Sequence, residues 1–213
     1  MSIRTEAEEN LRIIRSLMEK ATVYRAISAP GALVGGIGAI VVAGWGMWGS
    51  RMDGALSLPT AHFLAPWLGL LVAVTAMNFF LLARDAARRG EAFVSPGMRL
   101  ALRAMLPGLL GGGLMAVPFG FSVPDLLAVF WVLFYGISLL AASHFAPKSI
   151  CWLGRGFFAA AVVLVASSLT GIPALESSSP LFRAHLIMGV CFGLLHLVYA
   201  TLTWPRRGVG ADS

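Results

Sequence analysis

Long apolar stretches alternate with short polar segments along the whole chain. Six stretches each hold about 20 mostly apolar residues, at positions 27–48, 62–82, 98–119, 125–143, 150–169 and 184–204. About 20 such residues are needed for a helix to cross the ~30 Å hydrocarbon core of a bilayer, where a helix also satisfies its own backbone hydrogen bonds. The pattern therefore predicts an all-α bundle of six transmembrane helices.

The composition supports this interpretation. Of the 213 residues, 58% are hydrophobic and 12% are charged, whereas water-soluble domains average ~45–50% apolar and ~25% charged residues. These values exclude an ordinary soluble enzyme, a nucleic-acid-binding module and a disordered tail. We expect the main partner of the chain to be the lipid bilayer and not nucleic acid, although the net charge is +6.

The distribution of lysine and arginine predicts the orientation. Six spans place both termini and the second and fourth loops on one side, and that side carries all of the 16 basic residues except Arg51 and Arg183. Basic residues in short loops mark the cytoplasmic side. We therefore predict a cytoplasmic segment over residues 1–26, a transmembrane domain over 27–204 and a cytoplasmic tail over 205–213.

Tryptophans lie near the ends of the spans. Trp45, Trp48 and Trp67 fall at the end opposite the termini. Because tryptophan favours the boundary between lipid and water, we expect these three side chains in an interfacial belt.

The N-terminal segment has the pattern of an amphipathic helix. Leu11, Ile14, Leu17 and Met18 recur at helical spacing, with charged residues on the other faces. Such a helix could lie on anionic headgroups, or it could bind a cytoplasmic protein or a second copy of the chain. For the second alternative, these four residues are the predicted contact surface.

Small residues are spaced for close helix packing. Three GxxxG pairs occur, namely Gly31/Gly35, Gly108/Gly112 and Gly189/Gly193. This spacing lets helix backbones approach closely. We expect packing within the chain, with homodimerisation as the alternative, and the short loops predict that consecutive helices are neighbours.

Few polar side chains lie inside the spans, and no carboxylate lies near the middle of one. Ser138 and Ser167 are expected to form hydrogen bonds either to a neighbouring helix or to carbonyl groups of their own helices. A small transporter for an apolar or weakly polar solute would instead use the polar groups nearest the middle of the bilayer, which are Asn78, Tyr199 and His196. The sequence has no pattern typical of a catalytic triad or a zinc site, so we expect neither catalytic nor metal-binding residues.

The four histidines form the most specific set of potential ligands. His185 and His196 are 11 residues apart, which in an α-helix places them on nearly the same face. His62 begins the second span at the depth of His185, and histidines from two helices could hold a b-type haem. The depth of His144 differs from that of His196 by ~10 Å, which argues against that pair. The simpler alternative has His62 and His185 directed towards the interface and His196 in a hydrogen bond between helices.

Residues 9–19 (ENLRIIRSLME) and 24–33 (YRAISAPGAL) resemble a family of uncharacterised six-span proteins of the bacterial inner membrane. The resemblance implies a location in that membrane and a regulatory or envelope-associated role, and it brings no known active site. The leading hypothesis is a non-enzymatic protein that senses or scaffolds through its N-terminal helix. A small transporter and a haem-containing electron carrier are the alternatives.

Overall fold

A computed structural model describes residues 8–10, 29–52, 59–90, 94, 96–170 and 178–204. This part of the chain is helical and contains no strand. The first five long helices are α1 (Ala29–Met52), α2 (Pro59–Arg89), α3 (Pro96–Phe119), α4 (Pro124–Ala141) and α5 (Lys148–Thr170), and a short 3₁₀-helix (Ala142–His144) follows α4. The last span consists of α6 (Pro180–Met188), a π-helical segment (Gly189–Leu194) and α7 (Leu195–Thr203).

Six stretches of the described residues are long and apolar enough to cross a membrane, and their ends lie within six residues of those of the predicted spans. They are Ala29–Arg51, Phe63–Arg88, Pro96–Phe119, Pro124–His144, Lys148–Ser167 and Pro180–Thr203. The prediction of an all-α bundle with six transmembrane helices is confirmed, and the chain is a multi-pass membrane protein. Of the predicted N-terminal amphipathic helix, residues 8–10 are described and are helical, whereas Leu11, Ile14, Leu17 and Met18 lie outside the described residues.

The helix ends follow from local chemistry. Proline is the first residue of α2, α3, α4 and α6, a position where its missing N–H costs no hydrogen bond. Ser179 caps α6 by accepting a hydrogen bond from the backbone N–H of Phe182 at 3.2 Å. Gly90 follows α2 with a φ of 65°, the left-handed conformation that commonly ends a helix at glycine.

The fourth span lies at the centre of the bundle. The helix α4 packs against α3, α5 and the last span. In the most apolar stretch of the fourth span 39% of the residues are buried inside the protein, against 6% in that of the second span. The second span is therefore the one most exposed to lipid.

The first and last spans pack along each other although they are far apart in sequence. The last span contacts α1 through α6, the π-helical segment and α7, and this contact is more extensive than its contact with α5. The prediction that consecutive helices are neighbours therefore holds for α1 with α2, α3 with α4 and α4 with α5. It fails for α2 and α3, which make no extensive contact, and for the main contact of the last span. The reason is the small-residue surface of α1, where a Cβ atom added at Gly36 would lie only 3.0 Å from the carbonyl oxygen of Gly193.

All three GxxxG pairs contribute to packing inside the chain. Gly189 and Gly193 face α1, and Gly108 and Gly112 face α4 around Phe134. The remaining pair faces α2 through Asn78 and Val74. Packing within the chain, the first of the two alternatives, is confirmed for these pairs.

Candidate functional site

A buried histidine lies near the start of the last span. His185, in α6, is completely inaccessible to solvent. The indole Nε1 of Trp67, in α2, donates a hydrogen bond to His185 Nδ1 over 3.1 Å. The ring of Phe63, one turn before Trp67, meets the imidazole edge-on with 5.4 Å between ring centres. One imidazole ring thus connects the second span to the last.

The first span makes room for this ring. Gly46 of α1 lies so close to His185 that any side chain at this position would overlap the imidazole. Trp67 is 4% exposed, whereas Trp45 and Trp48 are 56% and 61% exposed. The expectation of an outward-pointing His185 and an interfacial Trp67 is therefore wrong. The space at Gly46 and the hydrogen bond between the two rings stabilise them inside the bundle.

A second histidine lies in the other half of the bundle. His196 Nδ1 is 2.8 Å from the carbonyl oxygen of Phe192, and His196 Nε2 is 3.1 Å from the hydroxyl oxygen of Tyr135 in α4. The ring of Phe157, in α5, is fully buried and meets the rings of Tyr135 and His196 with centre distances of 4.7 and 5.4 Å. This aromatic cluster joins α4, α5 and the last span, and it confirms the predicted hydrogen bond of His196 between helices.

The two histidines have opposite tautomers in their neutral forms. A carbonyl oxygen only accepts hydrogen bonds, so His196 carries its proton on Nδ1, and Nε2 accepts from the hydroxyl of Tyr135. An indole N–H only donates, so Nδ1 of His185 is the acceptor and its proton lies on Nε2. Both assignments follow from the partners of each ring.

The π-helical segment separates the two histidines. The sequence predicts a shared face for His185 and His196, but their rings contact different helices, α1 and α2 in one case and α4 and α5 in the other. A π-helical turn contains more residues than an α-helical turn, and it therefore rotates the residues that follow. The segment Gly189–Leu194 lies between the histidines and accounts for this difference.

An ion pair joins the fourth and last spans at the end near His185. Asp125 Oδ2 accepts hydrogen bonds from Arg183 Nη2 at 2.6 Å and from Arg183 Nε at 3.0 Å. Arg183 Nη1 also donates to the carbonyl oxygen of Ser178 at 2.7 Å. Asp125 is the second residue of α4, where the helix dipole favours a negative charge. The sequence contains both residues, but nothing in their spacing links them.

The remaining predicted site residues pack against other parts of the bundle. Asn78 packs against Gly31 of α1, whereas His196 packs against α4 and α5. Tyr199, three residues after His196, is 5% exposed and belongs to the same apolar core as Phe157. His62 lies in α2, and the structure does not describe its side chain.

Two serines bond to carbonyl groups of their own helices, which is one of the two alternatives expected for them. Ser138 Oγ donates to the carbonyl of Phe134 at 2.7 Å, and Ser167 Oγ donates to that of Leu164 at 2.8 Å. Among the described residues, no group of three or more His, Cys, Asp or Glu side chains is placed to hold a metal ion.

The sequence indicates the histidines but not the aromatic residues that surround them. Trp67, Tyr135, Phe157 and Phe192 come from four different spans, and no local pattern joins them. Comparison of the chain with protein-family models, with curated proteins and with solved structures found no match.

The packing of the histidines predicts the absorbance of the purified protein. Both ring nitrogens of His196 have partners, and aromatic rings and Gly46 enclose His185. Iron ligation needs a ring nitrogen directed at the haem, so either ring would have to leave its contacts. We expect no Soret band after expression with ample haem. A Soret band that is lost in His185→Ala would contradict this expectation.

Proposed function

We propose that this chain is a non-enzymatic protein of the bacterial inner membrane that senses or scaffolds through its N-terminal cytoplasmic segment, with the six-helix bundle as its anchor. The observation that supports this proposal is how the polar side chains of the bundle are used. The two buried histidines with their aromatic partners, and the ion pair of Asp125 with Arg183, each hold one helix to another. The polar side chains of the bundle therefore hold its helices together.

The polar groups of the bundle have partners within the bundle. The hydroxyl of Tyr135 bonds to Nε2 of His196 and the carbonyl of Phe192 to its Nδ1, and the indole of Trp67 bonds to His185. Two charged residues of the bundle also contact each other, since Asp125 forms an ion pair with Arg183. In a transport pathway or an active site, polar groups bind a substrate. These groups could do so only by giving up the bonds that hold the helices together.

The charge distribution supports the proposed orientation. At the end opposite Asp125, the basic residues of the described part of the chain are Arg84, Arg88, Arg89, Arg99, Arg103, Lys148 and Arg155. The Asp125 end holds Arg183, which is paired, and Arg51, whose guanidinium carbon lies 5.0 Å from the ring centre of Phe182. This asymmetry favours a cytoplasmic location for the basic end and hence for both termini.

The N-terminal segment is where we expect a partner to bind. On a helical projection of the sequence, Leu11, Ile14, Leu17 and Met18 share one face, and Ser16 lies on the opposite face. Basic and acidic residues flank the apolar positions, a composition that fits binding to an amphipathic groove or helix.

Substitution within this segment tests the proposal. We expect Leu17→Asp to abolish co-purification of the partner with the tagged full-length protein, because a charge would be buried in an apolar contact. Ser16→Asp is the matched control, since it adds the same charge on the opposite face and should leave co-purification unchanged. The amount of protein in the membrane fraction checks insertion of both variants. Equal recovery of the partner by Leu17→Asp and the unmodified protein would refute the proposed surface.

A further inference from the structure

Two exposed arginines lie on one face of α3 within the first third of the helix. Arg99 and Arg103 are the fourth and eighth residues of this 24-residue helix, and residues four apart are neighbours on a helix surface. Both side chains are exposed, and neither forms an ion pair with a carboxylate of the part of the chain that the structure describes. We refer to them as the arginine pair.

The arginine pair stands at the start of a lipid-facing strip. Leu106 and Leu110 continue the same face of α3 and are 50% and 63% exposed. Arg103 is seven residues from the start of α3, or ~10 Å along the helix axis. The helix α3 is ~36 Å long and the hydrocarbon core is ~30 Å thick, so little of the helix lies outside the core. The Cα atom of Arg103 therefore lies inside the hydrocarbon boundary.

A guanidinium at this depth needs an anionic partner. A charged side chain that faces hydrocarbon is costly unless it pairs or reaches the headgroups. Side chains of an α-helix lean towards its N-terminal end, which for α3 is the membrane surface. Both guanidinium groups are therefore directed to the depth of the lipid phosphates, and two neighbouring guanidinium groups can bind one phosphate through several charge-assisted hydrogen bonds.

We propose that Arg99 and Arg103 bind the phosphate of an anionic phospholipid, whose acyl chains lie along Leu106 and Leu110. The apolar strip favours a lipid over a free anion, because only a lipid fills both parts of the surface. The site does not depend on which side of the membrane the basic end faces.

Arg155 provides a matched control. It is the eighth residue of α5, as Arg103 is of α3, it is also exposed, and both helices begin at the same end of the bundle. Its guanidinium carbon lies 4.9 Å from the ring centre of Trp152, and this cation–π contact already satisfies part of its charge. A diffuse attraction between basic residues and anionic lipid would depend equally on Arg103 and Arg155, whereas the proposed site depends on Arg103.

The test is lipid retention by the full-length protein, purified in mild detergent and measured by native mass spectrometry. The added lipids are phosphatidylglycerol and phosphatidylcholine with identical acyl chains. We expect preferential binding of phosphatidylglycerol, and a loss of about fivefold in its affinity for each of Arg99→Gln and Arg103→Gln. Arg155→Gln should bind as the unmodified protein does.

Three results would overturn the proposal. One is equal binding of the two lipids, and another is an equal loss of binding in Arg103→Gln and Arg155→Gln. The third is displacement of phosphatidylglycerol by an equal concentration of inorganic phosphate, which would assign the arginine pair to a free anion. If Arg103→Gln does not fold, Arg103→Lys retains the charge but loses the planar fork, and a weaker preference for phosphatidylglycerol is expected.

Discussion

Replacing Phe157 with alanine is expected to lower the free energy of unfolding of the bundle by about 2–3 kcal/mol. Phe157 is fully buried, and its ring contacts Tyr135, Phe192 and His196. In water, Phe→Ala in a core costs about 3–5 kcal/mol. In a membrane the hydrophobic transfer term is largely missing, because lipid tails are as apolar as the core, but the lost packing and the cavity remain.

The neighbouring residue offers a matched control for this substitution. Phe158 is 42% exposed, so Phe158→Ala exchanges mostly lipid contacts and should cost less than about 1 kcal/mol. Both free energies can be measured by unfolding the purified variants in mixed micelles of a mild detergent and dodecyl sulfate. If the two alanine variants unfold with the same free energy, the aromatic cluster around Phe157 does not hold the spans together.

Leucine at position 36 is expected to separate the first span from the last and to cost about 3 kcal/mol or to prevent folding. A Cβ atom at Gly36 would lie 3.0 Å from the carbonyl oxygen of Gly193 and 3.0 Å from a methyl carbon of Leu197. A backbone carbonyl cannot rotate away as a side chain can. The whole helix therefore has to move, and the contacts between α1 and the last span are lost.

Gly44 is the control for this prediction, since it lies on the same helix with no neighbouring atom within 4 Å of an added Cβ. Gly44→Leu should leave the stability unchanged or raise it slightly, because leucine is the better helix former by ~1 kcal/mol. Thermal unfolding of both variants in the same detergent distinguishes them. A stable Gly36→Leu variant would show that the first and last spans do not approach as closely as described.

The sequence predicts most of the fold but only a small part of the candidate site. The six spans follow from apolar length alone, and the proline and glycine residues at their ends mark several of the boundaries. The hydrogen bond of His196 was also expected, but its partner Tyr135 was not. Hydropathy predicts which helices lie in the bilayer. It contains little information on which face of one helix contacts another. The same limit explains why Trp67 was expected at the interface.

The sequence by itself determined the number of spans, their approximate bounds and the concentration of positive charge at one end. These properties act on each helix separately, because the bilayer selects for length and apolarity residue by residue. Only the tertiary structure decided that the first and last spans are neighbours, that a π-helical segment directs His185 and His196 to different helices, and that Asp125 pairs with Arg183. These features depend on the fit of side chains from distant parts of the chain, and that fit exists only once the helices are packed.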